Sequence, residues 1–311
     1  MESRRMENRR RQRKRRKVRY GWLILSGVAL VIVGALILMT FANWHKRTDI
    51  GQSIPPVQEQ EVVDVISEAD QSLLEDYELV RQMLMAQDMN AYPSELVTKI
   101  EQQNALIRDE LVAQALPQLE HDINELARLI DEPLFSGTPS EVFYARGLLI
   151  LNKQHEAPAN FEPGNRQVMS TAFAQMKEDA AAQGINLYDF SSYRGYYAQK
   201  SLFERYAASD GEEAANRYSA RAGFSEHQTG FVTDIGGDNR SAWAETTFDD
   251  TTEAKWLAEN ADRYGFIMRY PPGKETITGY IHESWHYRYI GPIATKVKTS
   301  GLTLEEYLGL V

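Results

Sequence analysis

The sequence predicts an α+β fold, with a mixed head at residues 140–311 that follows a helical region and one membrane-spanning helix. Three observations predict it. Residues 20–44 carry no charge. Residues 60–135 place apolar side chains at helical spacings of three and four. Beyond residue 140, short apolar strands and amphipathic helices mix without regular βαβ alternation.

Charge sets the order of the first elements. Residues 1–19 hold 11 of the 34 Arg and Lys, against Glu2 and Glu7. The rest of the chain is acidic, so a net charge of −10 conceals a basic tail on an acidic body. The uncharged run from Tyr20 to Trp44 would span about 37 Å as a helix, enough to cross a bilayer core with some tilt. Tyr20, Trp22 and Trp44 lie at its ends, where amphipathic rings favour the headgroup zone. The excess of Arg and Lys before the run predicts a cytoplasmic N-terminus and an extracellular head. The basic tail read alone would suit nucleic acid, but topology already accounts for its charge, so no nucleic-acid partner is expected. A cleaved signal peptide would need a shorter apolar core and a small-x-small site, whereas LMTFANWHK follows, which favours an uncleaved anchor.

Residues 45–139 read as a linker and a helical spacer. Gly51, Pro55 and Pro56 mark the linker. Ile66, Ala69, Leu73, Tyr77, Val80 and Leu84 share one helix face. Leu96, Ile100, Ile107 and Leu111 begin a second helix after Pro93, and Pro117 opens a third that carries Leu119, Ile123, Leu126 and Ile130. The region holds no catalytic constellation. Its expected role is to hold the head away from the membrane, with spacing suited to self-association as a coiled coil. His121 stands alone there and reads as a surface residue.

Pro133, Gly137 and Pro139 mark the boundary of the head. The expected strands are 147–152, 185–192, 231–235, 266–270, 276–281 and 287–290, and the expected helices are 166–183, 196–208 and 253–264. Cysteine is absent, which removes disulfides, thiolate-bound metal and a thiol nucleophile. Any metal must therefore be held by His, Asp or Glu. Two segments are dense in such groups, Ser225–Asp234 and His282–Gly291. His227, Asp234 and His286 could supply two imidazoles and a carboxylate to a catalytic zinc that keeps one position open. On an unbroken strand His227 and Asp234 would face opposite ways, so the chain must turn between them, and Gly230 allows it. Glu283, three residues before His286, could act as general base toward an attacking water. On spacing alone each histidine could equally be a core or surface residue, and Asp234 could cap a turn beside Gly236.

Together, SEHQTGFVTD and ESWHYRYIG resemble the VanY-type D-alanyl-D-alanine carboxypeptidases, a family that includes LdcB-like LD-carboxypeptidases. Further matches are LLILNK at 148–153, SSYRGYYAQ at 191–199, WLAENADRYGFIMRYPPGK at 256–274 and TGY at 278–280. The resemblance covers residues 147–311 and nothing earlier. It implies a zinc DD-peptidase-like head with a small antiparallel sheet flanked by helices. It also implies that His227, Asp234 and His286 bind Zn2+ and that Glu283 is the catalytic base. Arg194 would stabilise the oxyanion or bind the substrate's terminal carboxylate, and Gln199 and Ser225 would face the substrate. Gly195 stands where the family commonly has Ser, which removes any side-chain contact from that position. Trp285, Tyr287, Tyr289 and Trp256 are expected in the core, and Arg288 in a structural ion pair. The implied substrates are peptidoglycan stem peptides, cut to release a terminal D-alanine. The alternatives are an LD-carboxypeptidase acting on tetrapeptide stems and a non-catalytic wall-binding module, and an intact Glu283 argues against the second.

Overall fold

The computed structural model describes residues 68–113 and 116–311. The basic tail, the expected membrane helix and the linker lie outside the described residues. Among the described residues, no helix is long and apolar enough to cross a membrane.

The described residues form one compact unit. It opens with three helices, α1 (Glu68–Met85), α2 (Ser94–Ala113) and α3 (Leu116–Asp131). Their apolar stripes do not stand off as a spacer. Tyr77, Leu79, Val80, Ile100, Ile107, Ile123, Leu126 and Ile130 are buried in the same core as the head. A short hairpin of β1 (Tyr144–Ala145) and β2 (Leu148–Leu149) receives α1 and α3. Between its strands Gly147 has φ 75°, and a Cβ there would lie 2.5 Å from Val80 Cγ2 and 3.0 Å from Ile123 Cγ2. Only a residue without a side chain lets the helices come this close. The stripe that suggested a coiled coil is thus covered within the molecule, because burying it against the head removes the same apolar surface from water as a second copy would.

The head is a four-stranded antiparallel sheet in the order β3 (Tyr188–Ser191), β4 (Val232–Gly236), β6 (Glu283–Tyr289), β5 (Phe266–Tyr270). One face carries Ile235, Tyr287 and Tyr289 into the core, where Phe266 meets Phe173 of α4 (Gln167–Ala181) and Tyr289. The other face carries Asp234, His286 and Arg288. The helix α5 (Tyr196–Asp210) follows β3.

Two expected strands differ. Residues 276–281 contribute to a helical turn, Glu275–Thr278, closed by Gly279 at φ 75°. Antiparallel β5 and β6 are neighbours, so the intervening segment must reverse the chain rather than add a strand. The expected strand 287–290 instead begins at Glu283. That extension decides the site.

Candidate active site

Each side chain of the cluster reaches the site by a local device. His227 lies in a single 3-10 turn, Glu226–Thr229, which ends at Gly230 in the left-handed region. The chain reverses there and enters β4, which presents Asp234. Across the sheet Asp234 is paired directly with His286. Glu283 and His286 are three apart, and an ideal strand would put them on opposite faces. The register prevents this. Met268 pairs with Tyr287 and Tyr270 with Glu283, so three residues of β6, 284–286, face only Arg269 of β5 through a bulge. The bulge turns Glu283 toward His286, with Oε2 3.5 Å from Nδ1.

His227, Asp234 and His286 converge, with ligand atoms within 4.8 Å of one another, and all three are buried. His227 Nε2 is 3.3 Å from Asp234 Oδ2, and His286 Nδ1 is 3.2 Å from Asp234 Oδ1. Ligand atoms around a tetrahedral zinc lie about 3.3 Å apart, so these spacings fit such an ion. Asp234 Oδ1 is buried without a hydrogen-bond partner, a costly state that a cation would relieve. The outer nitrogens are also held. His227 Nδ1 is 2.6 Å from the Ser192 carbonyl, which accepts its proton and leaves Nε2 free for a metal. His286 Nε2 faces Glu226 Oε2 at 3.7 Å.

Charge surrounds the cluster asymmetrically. Burial pushes the Glu283 carboxyl up to about 8, and the Asp234 charge adds to this against His286, Arg194 and Lys153. Burial alone would depress His286. The neighbouring carboxylates of Asp234 and Glu226 outweigh it and hold the metal-free imidazole at about 9. Burial lowers His227. Burial would raise Glu226, but Arg269 and Arg288 hold it well below the usual carboxylate range. Its Oε1 accepts from Arg269 Nε at 2.9 Å, with Arg288 Nη1 at 3.4 Å.

Arg194 reaches the cluster from the loop between β3 and α5. Its Nε donates to Gln199 Oε1 at 2.6 Å and its backbone N–H to the His227 carbonyl at 3.2 Å. Burial lowers its pKa, while Asp234 and Glu283 favour its charge. Gln199 is turned inward rather than toward solvent. It is 1% exposed, and its Nε2 donates to the Ala220 carbonyl at 2.6 Å, so it holds Arg194 in place. Helical position explains this, since Gln199 lies on the inner side of α5. Ser225 is buried immediately before the metal-binding turn, where its carbonyl accepts from Gln228 N. His282 stays outside the cluster, with Nδ1 2.9 Å from the Tyr270 carbonyl and Nε2 3.2 Å from Asp249. Arg288 is the expected structural ion-pair partner, and Trp285, Tyr287, Tyr289 and Trp256 are buried as expected.

Sequence reasoning missed Glu226 and the Ser192 carbonyl. Glu226 stood between two residues already singled out, and its acidity beside a histidine was the available signal. A backbone carbonyl offers no signal at all.

Residues 164–292 match the family described as VanY: D-alanyl-D-alanine carboxypeptidase. The chain is 37% identical over 180 residues to the putative carboxypeptidase YodJ of Bacillus subtilis, which covers 51% of this chain and 66% of that one. It is 30% identical over 177 residues to the bifunctional D-Ala-D-Ala dipeptidase and D-Ala-D-Ala carboxypeptidase VanXYC of Enterococcus gallinarum, covering 51% of this chain and 92% of that one. Among solved structures, the vancomycin-resistance D,D-pentapeptidase VanY in complex with Zn(II) is 32% identical, covering 51% of this chain and 97% of that chain, with a TM-score of 0.46. The chain thus spans just under two thirds of the length of YodJ, while its likeness to VanXYC runs nearly the whole length of that relative. Residue identity sustained over that extent makes this chain a member of the VanY D-alanyl-D-alanine carboxypeptidase family.

Proposed function

We propose that this protein is a zinc D-alanyl-D-alanine carboxypeptidase, tethered by residues 20–44, that removes the terminal D-alanine from peptidoglycan stem peptides on the outer side of the membrane. The observation that carries the reading is the meeting of two imidazoles and a carboxylate beside Glu283. His227 Nε2, Asp234 and His286 Nδ1 would hold the ion. A zinc bound there polarises the scissile carbonyl and makes water a nucleophile near neutral pH.

The chain's own groups perform the proton transfers. Glu283 takes a proton from the attacking water as the new C–O bond forms, then delivers it to the D-alanine amine as the C–N bond breaks. Arg194, held by Gln199, supplies a fixed cation for the developing oxyanion or the substrate's terminal carboxylate. The charge distribution supports an anchored enzyme, with a basic tail before the apolar run and an acidic body after it.

Mass spectrometry of defined stem peptides tests the reading. A pentapeptide stem should lose one D-alanine, and a chelator should stop the release. Cleavage of tetrapeptide stems alone would replace it with the LD reading, and zinc binding without any release would replace it with the wall-binding one. Glu283→Gln should lower kcat about 10²–10⁴-fold while zinc content stays at the wild-type level. An unchanged kcat would remove Glu283 from the chemistry.

A further inference from the structure

The metal-binding turn is braced from outside the catalytic head. Gly230, which ends that turn, packs on the segment that begins at Gly164. A Cβ at Gly230 would lie 2.0 Å from the Gly164 carbonyl oxygen. Arg166 then clasps the turn twice. Its backbone N–H donates to the Gly230 carbonyl at 3.0 Å, and its Nε donates to the Thr229 carbonyl at 3.0 Å. The guanidinium also lies over the Phe231 ring, 4.8 Å from its centroid.

The far side of that guanidinium meets Asp131, the last residue of α3. Nη1 and Nη2 each donate to one carboxylate oxygen at 2.7 Å, a two-point match that fixes the plane of the guanidinium. Tyr144 Oη donates to Asp131 Oδ2 at 2.7 Å. Asp131 and Arg166 are both buried, so neither charge has water as an alternative partner. A continuous path therefore runs from α3 through Asp131 and Arg166 to the backbone of the turn that carries His227.

We infer that Asp131 is a positioning residue for the metal site, through which the N-terminal helices set the geometry of His227. Residues 68–131 lie outside the part of the chain that matches the family. Their contribution is to fix the orientation of Arg166, which in turn fixes the turn. The inference rests on the zinc reading above.

Asp76 supplies the control. It lies on α1 and pairs with Arg146 at 2.6 Å, so it too joins the helices to the head, but it does not touch the metal-binding turn. The experiment measures zinc affinity of the full chain by competition with a chromophoric chelator, with the fold of each variant checked by circular dichroism. Asp131→Asn keeps the shape and removes the charge. It should weaken zinc binding about tenfold, the lower end of the range for partners that bond a metal ligand directly, because Asp131 acts from further out through Arg166. Asp76→Asn should lower the melting temperature yet bind zinc within twofold of wild type. If Asp131→Asn does not fold, Tyr144→Phe decides by removing a single hydrogen bond to Asp131, and a severalfold loss supports the inference. Wild-type affinity in a folded Asp131→Asn or, failing its folding, in Tyr144→Phe overturns it, as does an equal loss in Asp76→Asn. A wild-type chain that binds no zinc would instead defeat the zinc reading, which separates the two failures.

Discussion

His286 carries the most consequential charge in the metal-free protein. Asp234 and Glu226 hold its imidazole at about 9, so it is protonated at neutral pH. A metal must displace that proton before it can bind Nδ1. Below about pH 9 the apparent zinc affinity should therefore fall roughly tenfold for each unit of pH, because the proton competes for the same lone pair. His227 adds less to this competition, since burial lowers its pKa. Titrating zinc affinity from pH 6 to pH 9 checks the slope, and a flat profile would mean that His286 does not ligate through a protonated nitrogen. The residue types and their order were legible in the sequence. The role of Gln199 was not, because a polar residue near a site looks the same whether it faces substrate or holds a neighbouring side chain.

At the scale of elements, two irregularities build the site. The first is the turn at Gly230, anticipated because His227 and Asp234 cannot share a face across an unbroken strand. Gly230→Ala would place a side chain in the left-handed region, at about 1–2 kcal/mol, and would drive its Cβ into the Gly164 carbonyl. A backbone atom cannot rotate away. The variant should lose zinc binding and melt at a lower temperature, and calorimetry with and without the metal measures both. Unchanged zinc affinity would show that the turn tolerates a shift. The second irregularity is the bulge in β6. The three-residue spacing of Glu283 and His286 was visible, yet spacing alone on a strand predicts opposite faces. Pairing with β5 decides otherwise, and pairing is a property of two segments rather than one.

Across the whole molecule, the helices and the head share a core. Ile123 is fully buried and helps form the surface that Gly147 closes. Ile123→Ala should destabilise the protein by about 2–5 kcal/mol, with helices and head unfolding together. Urea unfolding followed by far-ultraviolet circular dichroism and by tryptophan fluorescence should give coincident transitions. Two separated transitions would restore the independent spacer that periodicity suggested.

Periodicity and the lack of cysteine determined by themselves that helices precede an α+β head and that any metal must rest on His, Asp or Glu, and the resemblance of two short dense motifs to a known family then singled out His227, Asp234, His286 and Glu283. These are properties of local order along the chain, and local order survives in a sequence. Only the tertiary structure decided what covers the helices, which face Glu283 occupies and what braces the turn of His227. Those outcomes depend on contacts between residues far apart in the chain, such as Asp131 with Arg166 and Met268 with Tyr287. An apolar stripe specifies that it must be buried, without specifying against what.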